Sequence, residues 1–194
     1  MPKLGMKPIR QEALVKATIS EVAAAGSLDV TVGRIAGAAG VSPALAHHYF
    51  GGKDDLFHAA MRRILADYTA ATRAALHGAA HPRARLEAVL DAAFAPPNFA
   101  GAVVSAWLIF YVQAQRDPAF RRLLRIYHRR LRSNLLSGLR PLIGPAAPEA
   151  AEALGAMIDG LYLRAALSDT PRTGAEAVAA TRAVLNTLIE GAAR

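Results

Sequence analysis

The stretch TVGRIAGAAGVSPALAHHYFGGK, residues 31 to 53, constrains this chain more than any other part of it. It holds two short helical patterns separated by a break at Ala39-Gly40-Val41. Thr31 stands where a helix N-cap is expected, and Val32, Ile35, Ala36 and Ala39 follow at i, i+3, i+4 and i+7 spacing, forming one narrow apolar face. Gly40 fits the left-handed conformation that ends a helix, which a residue with a β-carbon adopts only at a cost, and Val41 can plug the angle between the helices. Ser42-Pro43 restarts the chain with a capping hydroxyl and a first-turn proline. The second helix runs to Tyr49 or Phe50, and Gly51-Gly52 stops it. Lys53-Asp54-Asp55 then opens a longer helix whose apolar side is Leu56, Phe57, Ala60, Met61, Ile64 and Leu65. So short a helix with so abrupt a stop makes sense where a surface has to present it, and the whole pattern reads as a helix-turn-helix.

Past residue 60 every convincing segment is again helical. Pro82 opens a pattern through Phe94, Pro96-Pro97 breaks it, and a strongly apolar helix is predicted from about Ala100 to Gln115. Asp117-Pro118 restarts the chain toward Leu139, Pro141 to Pro148 reads as a loop, and helices follow at about 149 to 167 and 174 to 191. No segment sustains the period-two alternation of a half-buried strand, so the expected fold class is all-α. With 194 residues there is room for a DNA-binding domain of about 50 residues, placed at 1–55, and a helical domain at 56–194. Cysteine is absent, which excludes a disulfide framework or a cysteine metal site. No apolar stretch of about 18 residues escapes charges and helix breakers, and residues 1 to 10 lack the apolar core of a signal peptide, so a cytoplasmic protein without membrane contact is expected.

The segment from about residue 7 to 60 resembles the DNA-binding region of the TetR family of bacterial repressors. The residues that carry the likeness are Thr31, Ile35, Ala36, Ala39, Gly40, Val41, Ser42, Tyr49, Phe50 and Lys53. Four further blocks, MPKLGMKPIR, HYFGGKDDL, AWLIFYVQA and IDGLYLRAALS, are similar to the choline-responsive branch of that family, which represses glycine betaine synthesis and so serves osmoprotection. The resemblance implies an N-terminal three-helix DNA-binding domain, a C-terminal helical domain for ligand binding and dimerisation, and a double-stranded operator as partner. It also leaves open a repressor that answers another cationic or multidrug ligand. A small helical enzyme or scaffold carrying a similar segment is the reading from a different class.

By this resemblance Ser42 to Tyr49 is the recognition helix, with its N-terminal end in the major groove. The DNA candidates are Thr31, Arg34, Ser42, Pro43, Ala44, Leu45, His47, His48, Tyr49 and Lys53. Thr31, Tyr49 and Lys53 are best suited to phosphates. The helix carries no Arg, Lys, Asn or Gln for bidentate base contacts, so readout has to use histidine edges, apolar contacts, backbone amides and DNA shape. The charge distribution agrees: residues 1 to 60 are nearly neutral at net +1, residues 61 to 140 carry +9, and residues 141 to 194 carry −2. Much of the central excess lies at Arg121, Arg122, Arg125, Arg129, Arg130 and Arg132, where Arg122, Arg125 and Arg129 share a face opposite Leu123, Leu124, Tyr127 and Leu131. That pattern suits a solvated face of an amphipathic helix, with DNA, lipid or carboxylate contact as the sharper alternative.

A ligand site is suggested by aromatics at helical spacing. Trp107 and Tyr111 lie four apart with Phe110 between them, Asp159 and Tyr162 three apart, and Asp91 and Phe94 three apart. A quaternary ammonium such as choline has no N–H to donate, so aromatic faces and a carboxylate are the groups that hold it, each cation–π contact being worth up to about 2 kcal/mol when desolvated. The same aromatics could simply fill a core, and Asp91 or Asp159 could instead pair with an arginine. No cofactor is implied. His47 and His48 are adjacent and point about 100° apart, a poor metal pair, and Gly51-Gly52-Lys53 lacks both the strand and the hydroxyl of a phosphate loop. No catalytic set has supporting context. The last two helices place Leu154, Met157, Ile158 and Leu161, then Val178, Thr181, Leu185 and Leu188, at helical repeats, the expected faces of a homodimer that would set two reading heads on a pseudo-palindrome.

Overall fold

The strongest local signals in the sequence are also the best-formed joints of the computed structural model, which describes residues 5–192; Met1–Leu4, the start of the MPKLGMKPIR block, and residues 193–194 lie outside it. Nine α-helices are formed among the described residues: α1 (Met6–Ala25), α2 (Val32–Ala38), α3 (Pro43–Phe50), α4 (Lys53–His77), α5 (Pro82–Ala93), α6 (Gly101–Gln113), α7 (Pro118–Ile143), α8 (Ala147–Leu167) and α9 (Gly174–Ala192). None of them is long and apolar enough to cross a membrane.

α1, α2 and α3 make the N-terminal unit, closed underneath by the first turns of α4. Their shared core is Leu14, Val22, Val30, Ile35, Ala36, Ala46, Leu56 and Phe57, all essentially without solvent exposure. α4 continues for 25 residues, so the boundary expected near residue 55 falls inside its first turn and one rigid helix serves both units. α1 also packs on α6, a second route by which the N-terminal unit touches the body. In the body α7 lies between α5 and α8, and α9 packs on α8 and α5.

One expectation is corrected. Residues 141–148 are not a loop: α7 runs through Pro141 to Ile143, a single 3-10 turn spans Gly144–Ala146, and α8 begins at Ala147. Pro141 breaks one helical hydrogen bond, a loss of about 3 kcal/mol in a helix interior. Leu139 and Ile143 on either side of it are buried, and two such side chains contribute about 1.5–3 kcal/mol each. Packing therefore carries the helix past the proline. Pro148 falls in the first turn of α8, where its missing N–H has no partner to lose.

α5 and α7 pack closely at Gly138. A β-carbon there would lie 2.6 Å from Leu86 Cγ and 2.9 Å from the Pro82 carbonyl oxygen. Gly138→Ala is therefore expected to destabilise the fold by about 1–3 kcal/mol, seen as a lower urea midpoint with an unchanged slope.

Candidate DNA-reading surface and cation cavity

The helix-turn-helix is built from caps. The Thr31 hydroxyl accepts the Arg34 amide at 3.2 Å, and the Ser42 hydroxyl accepts the Leu45 amide at 3.2 Å. Between them Gly40 takes φ +66°, donates to the Gly37 carbonyl at 3.1 Å and lets Val41 donate to Ala36 at 3.0 Å. That pair of bonds is a Schellman ending, and it fixes the angle at which α3 leaves α2.

α3 turns Ala46 inward and leaves Ser42, Pro43, Ala44, His47 and His48 exposed, with Leu45, Tyr49 and Phe50 partly covered. His47 Nδ1 lies 3.0 Å from the Gly51 carbonyl oxygen. Since a carbonyl can only accept, Nδ1 carries the hydrogen, and the neutral ring then presents Nε2 outward as an acceptor. In a major groove such an acceptor matches the amino groups of adenine and cytosine. Thr31 and Arg34 are exposed beside it, but the Arg34 guanidinium is paired with Glu21 of α1. Lys53 lies with its ammonium 5.5 Å from the Phe57 ring centre, and Lys7 of α1 reaches to 6.0 Å from the Tyr49 ring. Lys7 was not among the sequence candidates, because only the packing of α1 against α3 brings it there.

The second site lies between α6 and α8. A cavity of about 260 Å³ is lined by Val104, Trp107, Leu108, Tyr111, Asp159, Gly160, Tyr162 and Leu163. Four of the seven ligand candidates therefore meet. Trp107 lies 5.6 Å from Tyr111 and 6.4 Å from Tyr162, ring centre to ring centre. The other three do not line it. Phe94 packs behind Tyr162 and edge-on to Phe99 at 5.2 Å. Phe110 faces away and stacks on Phe120 at 5.3 Å. Asp91 is at the surface, its carboxylate held by Arg182 of α9 at 2.7 and 2.9 Å, the kind of arginine pair that was the alternative for it.

Tyr127 and His128 of α7, which the ligand candidates omitted, complete the polar side. The Tyr127 hydroxyl donates to Asp159 Oδ1 at 3.1 Å, and its ring lies 4.9 Å from Trp107. His128 Nε2 lies 3.2 Å from Asp159 Oδ2 and 3.3 Å from the Tyr111 hydroxyl. An ionised carboxylate has about four acceptor positions, so these contacts leave Asp159 capacity toward the cavity. Burial, reinforced by the Asp159 charge, pushes the Tyr111, Tyr127 and Tyr162 hydroxyls far above the ordinary phenol value and Tyr68 to about 12. The rings facing the cavity are thus neutral, with intact quadrupoles.

A chain of contacts leaves this site for the DNA-reading unit. Phe110 stacks on Phe120, Phe120 lies 4.6 Å from the ring of His58 on α4, and His58 Nε2 meets Asp117 Oδ2 at 2.8 Å. Asp117 also caps α7 by accepting from the Ala119 amide at 2.7 Å. Burial alone would raise its carboxyl, but the hydrogen bonds from His58 and the Ala119 amide hold it below the usual value.

On α7, Leu124, Tyr127 and Leu131 are buried while Arg122, Arg125, Arg129 and Arg132 are exposed, with no carboxylate within ion-pair distance among the described residues. On α8 and α9, five of the eight proposed dimer-face residues, Leu154, Ile158, Leu161, Thr181 and Leu185, are buried within the protomer. Met157, Val178 and Leu188 are half-buried, and Leu163 and Leu167 are 47% and 69% exposed.

Comparison with known proteins finds matches over both parts of the chain. Residues 14–60 match the model of the tetR family of bacterial regulatory proteins, and residues 82–190 match that of the BetI-type transcriptional repressor C-terminal domain. The chain is 49% identical over 180 residues to the HTH-type transcriptional regulator BetI of Brucella anthropi, covering 92% of this chain and 93% of that one. It is 49% identical over 188 residues to the protein of that name from Rhizobium meliloti, covering 96% and 92%. Among solved structures, a transcriptional regulator from Pseudomonas aeruginosa PAO1 superposes with TM-score 0.82 at 27% identity over 98% of this chain and 94% of that one. A regulator from Saccharomonospora viridis in complex with choline shares the fold with TM-score 0.78 at 21% identity, covering 91% and 95%.

The buried phenols have a measurable consequence. A phenol whose folded value is raised keeps its proton in the fold when the unfolded chain has already lost it, so stability falls as pH climbs above about 10. Tyr68, Tyr111, Tyr127 and Tyr162 are expected to ionise together with loss of helix in one cooperative alkaline step, checked by phenolate absorbance recorded alongside circular dichroism.

Proposed function

The chain belongs to the TetR family of bacterial regulatory proteins and carries a BetI-type repressor C-terminal domain, and on that premise we propose that it represses genes for converting choline to glycine betaine and is relieved by choline or a closely related quaternary ammonium. It is a DNA-binding transcriptional repressor and not an enzyme. The observation that carries the ligand reading is the juxtaposition of Trp107, Tyr111 and Tyr162 with the Asp159 carboxylate around one cavity of about 260 Å³. Drug-sized ligands occupy cavities of about 300–1,000 Å³, so this one suits something smaller. Its aromatic walls attract a cation without asking it to donate a hydrogen bond, and Asp159 supplies the counter-charge. A choline ligand fits with the Saccharomonospora viridis regulator of the same fold, which is described in complex with choline.

The coupling follows from which helices share the site. α6 carries Trp107 and Tyr111 on one face and Phe110 on another, and Phe110 leads through Phe120 to His58 on α4. A ligand that fits one setting of α6 and α8 better than the other biases α4, whose first turn closes the core of the DNA-reading unit. It shifts the equilibrium only by its difference in affinity between the two settings. In the proposed homodimer the outer faces of α8 and α9, with Met157, Leu163, Leu167, Val178 and Leu188, meet their copies. Two α3 helices then sit about 34 Å apart on a pseudo-palindromic operator. A cytoplasmic location and a part in osmoprotection follow from the same reading.

Choline titrated into a protein–operator complex is expected to raise the operator dissociation constant, and to change the fluorescence of Trp107, the single tryptophan. Size-matched neutral alcohols and primary amines serve as controls, and Asp159→Asn should weaken the choline response about tenfold or more. Unchanged operator affinity at saturating choline would overturn the reading. On the DNA side, Lys53→Ala should weaken all duplexes alike, whereas His47→Ala should relax preference at one base pair, checked by binding to a set of single-substitution operators.

A further inference from the structure

Among the described residues Asp159 is the only carboxylate lining the cavity, and it already has a partner that can become a cation. His128 projects from α7 so that the single atom Nε2 faces two groups at once, Asp159 Oδ2 at 3.2 Å and the Tyr111 hydroxyl at 3.3 Å. These two partners ask opposite things of it. A carboxylate can only accept, so pairing with Asp159 requires a hydrogen on Nε2. The Tyr111 hydroxyl can donate, which suits an Nε2 lone pair on a neutral ring whose hydrogen is on Nδ1. We propose that His128 is a proton-controlled competitor of the cationic ligand: protonated, it occupies Asp159; neutral, it turns its lone pair to Tyr111 and leaves the carboxylate to the quaternary ammonium.

The surroundings single out this residue. His128 has 46% of its side chain exposed and opens on a groove of about 400 Å³ between α7 and α8, so protons reach it without opening the cavity. The charged groups facing that groove are Arg129 and Arg132 of α7 and Glu152 and Asp159 of α8, and from α6 Tyr111 faces His128. The Tyr127 ring of its own helix lies 5.1 Å from it, and Tyr68 of α4 packs edge-on against Tyr127. The arginines keep their charge throughout, and burial keeps the phenols protonated. Histidine is the side chain whose charge changes between pH 5 and 8. An imidazolium there neutralises Asp159 and repels a second cation at the same oxygens. By linkage the effect is reciprocal, so a bound quaternary ammonium must expel a proton from His128 at pH values where the free protein holds one.

This inference rests on the cavity being the cation site. Its test is calorimetric titration of the full-length protein with choline, and with tetramethylammonium as a probe lacking the hydroxyl, between pH 5.5 and 8. Both ligands should bind about tenfold more weakly at pH 5.5 than at pH 7.5. Near pH 6.5, binding enthalpies measured in buffers of different ionisation enthalpy should report proton release. His128→Gln keeps an N–H donor beside Asp159 but cannot be protonated, so its affinity should be flat with pH and its binding free of proton release. Circular dichroism of that half-exposed variant checks that it is folded. A flat profile in the unmodified protein, or an undiminished slope in His128→Gln, overturns the competition while leaving the cavity reading standing. Failure of both ligands to bind at any pH overturns both.

Discussion

The hydrogen bond from the Tyr127 hydroxyl to Asp159 joins the parts of this molecule that matter to its function. Tyr127 comes from α7 and Asp159 from α8, and the Tyr127 ring lies against Trp107 of α6 and Tyr68 of α4, the latter edge-on at 5.4 Å. A partly buried carboxylate without partners costs several kcal/mol. Supplying that partner from a fully packed tyrosine makes the charge affordable and sets four helices at one point. The cavity wall, the basic helix and the helix that leads to the DNA-reading unit are thereby parts of one arrangement.

α4 gives that arrangement its reach. At 25 residues and about 1.5 Å per residue it spans roughly 37 Å, with Leu56 and Phe57 in the core of the DNA-reading unit and Tyr68 in the aromatic cluster. His58, between those two regions, is held by Asp117 at the start of α7. The close approach of α5 and α7 at Gly138 leaves little room for those two helices to slide. α4 and α6 are the helices that pack against α1 of the N-terminal unit.

Local chemistry was the legible part of the sequence. Thr31, Gly40, Ser42 and the Gly51-Gly52 stop act through neighbours within a few residues, and all of them form the caps and turns that their identities imply. Pro141 misled because a break read from one residue was outweighed by burial of Leu139 and Ile143, which only the tertiary structure supplies. The cavity was legible in part for a related reason. Spacing of three or four shows that two residues share a face, but not what that face meets. Trp107 and Tyr111 do share one, whereas Phe110 is rotated about 100° from Tyr111 and meets Phe120. Asp91 and Phe94 part company because α5 ends at Ala93 and Phe94 turns away as its C-cap. Tyr127 and His128 stand 32 and 31 positions from Asp159, and no periodicity in the basic α7 pattern announces that contact.

The near-neutral DNA-reading unit has a consequence for the conditions under which it works. Affinity gained from phosphates is largely the entropy of releasing condensed counterions, and it declines with salt in proportion to the number of phosphates neutralised. Here α3 carries no cation, the Arg34 guanidinium is already paired with Glu21, and residues 1 to 60 have net charge +1. With so few free cations the proposed reading unit is expected to displace few counterions per half-site, so that occupancy of the operator changes little with ionic strength. On the proposed function this separates two signals. Rising salt alone would then leave the protein on its operator, and release would be left to the proposed ligand.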